Sequence, residues 1–97
     1  MVVTWSKPAW RQFGKALDYI VENGFISYAD ELEENIISRI ETLMDNYAVY
    51  PLDKYKKNND GTYRAFEVDD YRISYRVKGS LIRVVRLRHT SRKPSKY

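Results

Sequence analysis

The chain has 97 residues, no cysteine and one histidine, enough for a single domain over residues 1–97, and it excludes a disulfide framework, a thiolate metal site and a cysteine nucleophile. Hydrophobic residues at 43% and charged residues at 31% are the proportions of a folded chain, and disorder over most of it is excluded. The formal charge of +4 hides a polarity: residues 1–61 carry 7 Lys/Arg against 10 Asp/Glu, net −3, whereas residues 62–97 carry 10 against 3, net +7.

Val2, Val3 and Trp5 favour a short opening strand that ends at Ser6, a residue type suited to helix N-caps. Pro8 fits a first turn, and Trp10, Phe13, Leu17, Ile20 and Val21 recur at helical spacing until Asn23-Gly24 stops the helix. Ser27 and Asp30 form the pattern of a capping box for a second helix, whose stripe is Leu32, Ile36, Ile40, Leu43 and Tyr47. Residues 50–62 are too polar and turn-rich for a regular element and form a basic loop. Three strands follow, Tyr63 to Val68, Tyr71 to Val77, and Leu81 to about Arg88, joined closely enough to require an antiparallel meander. The tail from Thr90 through Pro94 to Tyr97 has no periodicity. The expected fold is α+β, β-α-α-β-β-β, a helical hairpin packed on one face of a mainly antiparallel sheet.

Pairing Val68 with Tyr71 and Val77 with Ser80 assigns faces by strand alternation. Phe66, Val68, Tyr71, Ile73, Tyr75, Val77, Ile82 and Val84 then face the helices. Tyr63, Glu67, Arg72, Ser74, Arg76, Arg83, Val85, Leu87 and His89 lie opposite, and Arg86 and Arg88 fall on the covered side. A one-residue slip in either hairpin would scatter the arginines. Most of the nine tyrosines, including Tyr19, Tyr47, Tyr71 and Tyr75, sit where packing is expected.

Arginine forks match phosphate oxygens. RNA supplies its own 2′-hydroxyl nucleophile, so its cleavage needs a base, an acid and positive charge, and no metal. Histidine as a residue type has a reference pKa near neutrality, so His89 can serve as base or acid, Glu67 can orient it or act as base, and Arg72 and Arg83 can stabilise charge. Lys54, Lys56, Lys57, Arg76, Arg92 and Lys93 are candidate RNA contacts, and Tyr97 a candidate stacking residue. No Gly-rich phosphate loop, HExxH or metal-ligand cluster is present, so no cofactor or metal is expected. No apolar run reaches bilayer length, and Lys7 and Arg11 interrupt any signal-peptide core, so the expectation is a cytoplasmic protein without a membrane partner.

The order strand, two helices and meander, with Tyr63-Arg64-Ala65-Phe66-Glu67-Val68, Tyr71-Arg72-Ile73-Ser74-Tyr75-Arg76-Val77 and Val84-Val85-Arg86-Leu87-Arg88-His89, resembles the RelE/ParE toxin superfamily of type II toxin–antitoxin modules. The resemblance implies a cognate antitoxin and the plasmid stabilization associated with such modules. For a RelE-like member it also implies ribosome-dependent mRNA cleavage, and for a ParE-like member inhibition of DNA gyrase. A degenerate member would retain only antitoxin binding. In RelE-like terms Arg72 matches the phosphate-contacting arginine, Tyr97 the C-terminal catalytic tyrosine, and His89 the terminal histidine of YoeB-like relatives. The RelE lysine pair falls at Tyr63 and Ala65 and is missing. The ParE-like pattern of an arginine before YRxxY and an H-x-x-R ending is met by Arg64 and by His89 with Arg92. The first expectation is an mRNA endoribonuclease, the alternative a gyrase-binding toxin.

Overall fold

The computed structural model describes residues 1–93 and 95–97; the expectation for the tail at Pro94 lies outside them. Its elements run β1 (Val2–Trp5), α1 (Lys7–Glu22), α2 (Ile26–Thr42), β2 (Tyr63–Val68), β3 (Tyr71–Lys78) and β4 (Leu81–His89). They form one mixed sheet in the order β1-β4-β3-β2, with β1 parallel to β4 and the other pairs antiparallel. The helical hairpin is the crossover that a parallel pairing requires.

Ser6 ends β1 and starts α1. Its amide donates to the Val84 carbonyl at 2.9 Å, and its side-chain oxygen accepts from the Ala9 amide at 3.1 Å, satisfying a first-turn donor. At the other end Gly24 takes φ +87°, a conformation cheap only for glycine. The Ser27–Asp30 capping box does not form: α2 begins two residues earlier, with Phe25 at the N-cap and no side-chain cap.

Phe13, Ile20, Leu32, Ile36 and Ile40 from the helices meet Phe66, Ile73, Tyr75, Ile82 and Val84 from the sheet in one buried core. Tyr75 is fully buried and donates its hydroxyl to the Tyr47 carbonyl at 2.6 Å; burial pushes that phenol up to about 12. Tyr71 is buried as expected, but Tyr19 and Tyr47 are exposed. Trp10, although on the predicted stripe, is 59% exposed and packs edge-on against Trp5.

The β2–β3 register is as expected, with Val68 opposite Tyr71. The next hairpin turns one residue later, with Lys78 opposite Leu81 and Val77 opposite Ile82 rather than Ser80. A shift of two preserves every face. The ladder then slips: Tyr75 pairs with Val84 but Ser74 pairs with Arg86, so Val85 is an extra residue. Beyond this bulge the faces of β4 exchange. Leu87 turns under the helices, where it is 2% exposed, His89 follows it, and Arg86 and Arg88 turn to the helix-free side. The expected placements of Leu87, His89, Arg86 and Arg88 are thereby reversed.

Candidate functional site

The helix-free face is laid out in cross-strand rows: Glu67, Arg72 and Arg88; Ala65, Ser74 and Arg86; and Tyr63, Arg76 and Arg83. Like charges directly opposite, as Arg72 is to Arg88 and Arg76 to Arg83, repel. Aromatic rings and carboxylates from the 50–62 loop offset this. Tyr55 brings its ring 4.9 Å from the guanidinium carbons of both Arg72 and Arg88. Tyr63 lies 5.0 Å from that of Arg76 and 4.8 Å from Lys56 Nζ, distances at which cation–π attraction operates.

The loop is fixed against the free edge of β2. Leu52 bridges Arg64, the Asp53 amide donates to the Tyr63 carbonyl at 2.9 Å, and Asn59 Nδ2 donates to the same carbonyl at 2.9 Å. Asp53, which the sequence reading passed over, is thereby carried to the centre of the face, where it is 2% exposed. Its Oδ1 accepts from Arg72 Nη2 at 3.0 Å and from the Tyr55 amide at 3.1 Å, and its Oδ2 accepts from the Tyr97 hydroxyl at 2.6 Å. Burial by itself would raise the Asp53 carboxyl, but hydrogen bonds from Tyr97, Ser74 and Arg72 outweigh it and hold the group below its usual value. Burial, reinforced by the bond to Asp53, pushes the Tyr97 phenol well above its ordinary value. Arg72 makes a second ion pair with Glu67 at 3.3 Å.

Of the predicted site residues, Arg72, Glu67 and Tyr97 therefore converge, with Asp53 between Arg72 and Tyr97. Arg76 is on the same face, paired with Asp60 at 3.4 Å, and Arg83 stands beside it, two rows from Arg72. Lys56 lies 5.4 Å from the Tyr97 ring, Lys57 donates its amide to the Tyr97 carbonyl at 2.7 Å, and Lys54 sits at the outer side of Tyr55. His89 is not brought in. It faces the helix side, edge-on to Tyr71 at 5.0 Å, with Nδ1 2.6 Å from the Ser91 hydroxyl. There, with Arg92 and Lys93, it borders a groove of about 860 Å³ between α1 and the end of β4. Arg86 and Arg88 are added to the site by the bulge. The one signal for Asp53 in the sequence is an acid isolated within the basic run from Pro51 to Lys57.

Among the described residues no cluster of potential ligands could hold a metal ion, and no helix is long and apolar enough to cross a membrane.

The family model for the ParE toxin of type II toxin–antitoxin systems, parDE, matches residues 3–94. The chain belongs to this family. It is a toxin of a type II module, and membership implies a cognate antitoxin. The ParE-family fold is shared with solved structures. The chromosomal ParDE system from P. aeruginosa superposes with a TM-score of 0.70 at 18% identity, over 92% of this chain and 95% of that one. The YoeB dimer from Staphylococcus aureus gives 0.60 at 17% identity, over the same shares. No curated protein sequence matches the chain.

Proposed function

We propose that this ParE-family toxin acts by contact, inhibiting DNA gyrase, rather than by cutting RNA. The observation that carries this reading is the closed arrangement of Arg72, Asp53 and Tyr97. The arginine suited to a scissile phosphate is spent on a buried carboxylate, and the tyrosine suited to proton transfer donates its proton to the same carboxylate. A general base needs a free lone pair and a general acid a modest pKa. Tyr97, held protonated, is poor at both roles. His89, the one imidazole of the chain, is on the opposite face of the sheet. The family match over residues 3–94 supports the same reading. The test is plasmid supercoiling by purified gyrase: the toxin is expected to inhibit it and to trap cleaved DNA, and unaffected supercoiling at saturating toxin would refute the proposal.

A second reading, ribosome-dependent mRNA cleavage, is favoured by the interleaving of Tyr55, Tyr63 and Tyr97 with Arg72, Arg76, Arg86, Arg88 and Lys56. In that reading Arg72 and Arg83 stabilise charge at the phosphate, Glu67, His89 and Tyr97 supply proton transfer, and Lys54, Lys57, Arg92 and Lys93 flank the strand. It requires the Asp53 network to open and His89 to change faces.

A further inference from the structure

Residues 95–97 lie across the helix-free face, held by groups of the cationic site itself. The Tyr97 amide donates to the Tyr55 carbonyl at 3.0 Å, and the Tyr97 carbonyl accepts from the Lys57 amide at 2.7 Å and from Lys56 Nζ at 3.4 Å. Arg86 is taken up by the same segment. Its Nη1 donates to the Ser95 carbonyl at 2.7 Å, its Nη2 to the Ser95 hydroxyl at 2.5 Å, and its guanidinium carbon lies 4.7 Å from the centre of the Tyr97 ring. The middle row of the face shows the covering: Ala65 and Ser74 are each 2% exposed although no helix packs on that side.

Arg86 and Arg88 form no ion pair with an aspartate or glutamate among the described residues. Their partners are neutral carbonyl and hydroxyl oxygens, and a guanidinium bonded to an anionic oxygen gains roughly twice what it gains from a neutral one. A phosphodiester therefore competes well for these cations.

We propose that residues 95–97 are a displaceable strap masking, in cis, a surface for single-stranded nucleic acid built from Arg86, Arg88, Lys56 and the rings of Tyr55 and Tyr63. The ring faces decide the ligand class. Cations alternating with flat aromatic faces suit unstacked bases joined by phosphates, whereas an acidic peptide uses the cations and leaves the rings idle. This surface does not depend on which cellular target the toxin has.

The test is amide hydrogen exchange on the unmodified chain with a twelve-residue oligothymidylate at low salt. On saturation the Lys57 and Tyr97 amides, bonded within the strap, are expected to exchange about fivefold faster, while the Asp53 amide, bonded to Tyr63, keeps its protection. The Tyr97→Ala chain, unchanged in net charge, is expected to bind the oligonucleotide about fivefold tighter. Failure of the oligonucleotide to bind, unchanged or slower exchange at Lys57 and Tyr97, or acceleration by polyglutamate alone overturns the proposal. So does weaker binding by a folded Tyr97→Ala chain; if that variant does not fold, the exchange result on the parent decides. Neither readout involves gyrase or ribosomes, so failure here is distinct from failure of the target assignment.

Discussion

The Tyr97 hydroxyl donates to Asp53 Oδ2 at 2.6 Å across 44 positions of sequence, while the other oxygen of that carboxylate takes Arg72 at 3.0 Å. One buried anion thus ties the tail and the 50–62 loop to the start of β3. In the low-dielectric interior its value lies less in net attraction than in the cost of leaving any member alone.

Asp53→Ala leaves the Arg72 side chain, 12% exposed, with Glu67 as its remaining carboxylate partner. The expected loss of stability is about 3 kcal/mol, measured by urea unfolding. Tyr97→Phe removes one hydrogen bond and is expected to cost about 1 kcal/mol. An Asp53→Ala loss no larger than that of Tyr97→Phe would contradict the role of Asp53 as the centre of the network.

The two ends of this network predict opposite pH dependences. Asp53 has a folded value below the ordinary aspartate value of 3.8, so its contribution is complete above 3.8 and is lost as pH falls through the lower folded value. Tyr97 has a folded value raised above 10.0, so its contribution is complete below 10.0 and is lost as pH rises toward the folded value. Relative to the parent, Tyr97→Phe should lose stability less steeply above pH 10 in denaturant titrations at stepped pH. Identical alkaline slopes would show that the phenol is not held neutral.

Deleting Val85 removes the extra residue of the bulge but leaves Val84 opposite Tyr75 and Arg86 opposite Ser74. Regular alternation then keeps Leu87 under the helices and Arg86 and Arg88 on the helix-free face. No guanidinium group enters the core, so the deletion variant is expected to retain a cooperative thermal transition followed by circular dichroism. Ser6→Ala, which removes the cap on α1 and a hydroxyl 3.4 Å from the Val85 carbonyl, is expected to cost about 1 kcal/mol in the same assay. Loss of the cooperative transition in the deletion variant would show that Val85 is not merely an extra residue between the Tyr75–Val84 and Ser74–Arg86 pairs.

The bulge also marks where sequence reading ends. Helix α1, its Ser6 cap and its Asn23-Gly24 stop follow from local chemistry and spacing, and the three meander strands follow from alternation broken by Asp69-Asp70 and Gly79. The expected Val77–Ser80 pairing differs from the observed register by two, which leaves every face intact. Val85 carries no local mark, since a valine between Val84 and Arg86 looks like ordinary strand. Yet that one residue exchanges Leu87 and His89 for Arg86 and Arg88. Asp53 was illegible for a related reason: its role depends on Arg72 and Tyr97, far away in sequence, and on a loop whose polarity hides its fixed shape. Arg72 and Glu67 were legible from strand alternation, and Arg72 and Tyr97 also from their match to a family pattern.

His89 separates the two functional readings in cells. Acting by contact through the helix-free face, the toxin does not need it, and His89→Ala is expected to retain growth arrest when expressed without antitoxin. In the nuclease reading the same substitution removes the one imidazole available for proton transfer and abolishes arrest. Western blotting for equal expression makes the comparison valid, and loss of arrest at equal expression would favour the nuclease.

The most direct measurement uses purified toxin on ribosomes programmed with a defined mRNA, with primer extension along the message and, in parallel, gyrase on supercoiled plasmid. With Arg72 and Tyr97 both closed on Asp53, no new 5′ ends are expected on the message, while cleaved plasmid accumulates with gyrase. New 5′ ends that appear with toxin and vanish with Arg72→Ala, alongside unimpaired gyrase, would contradict this account.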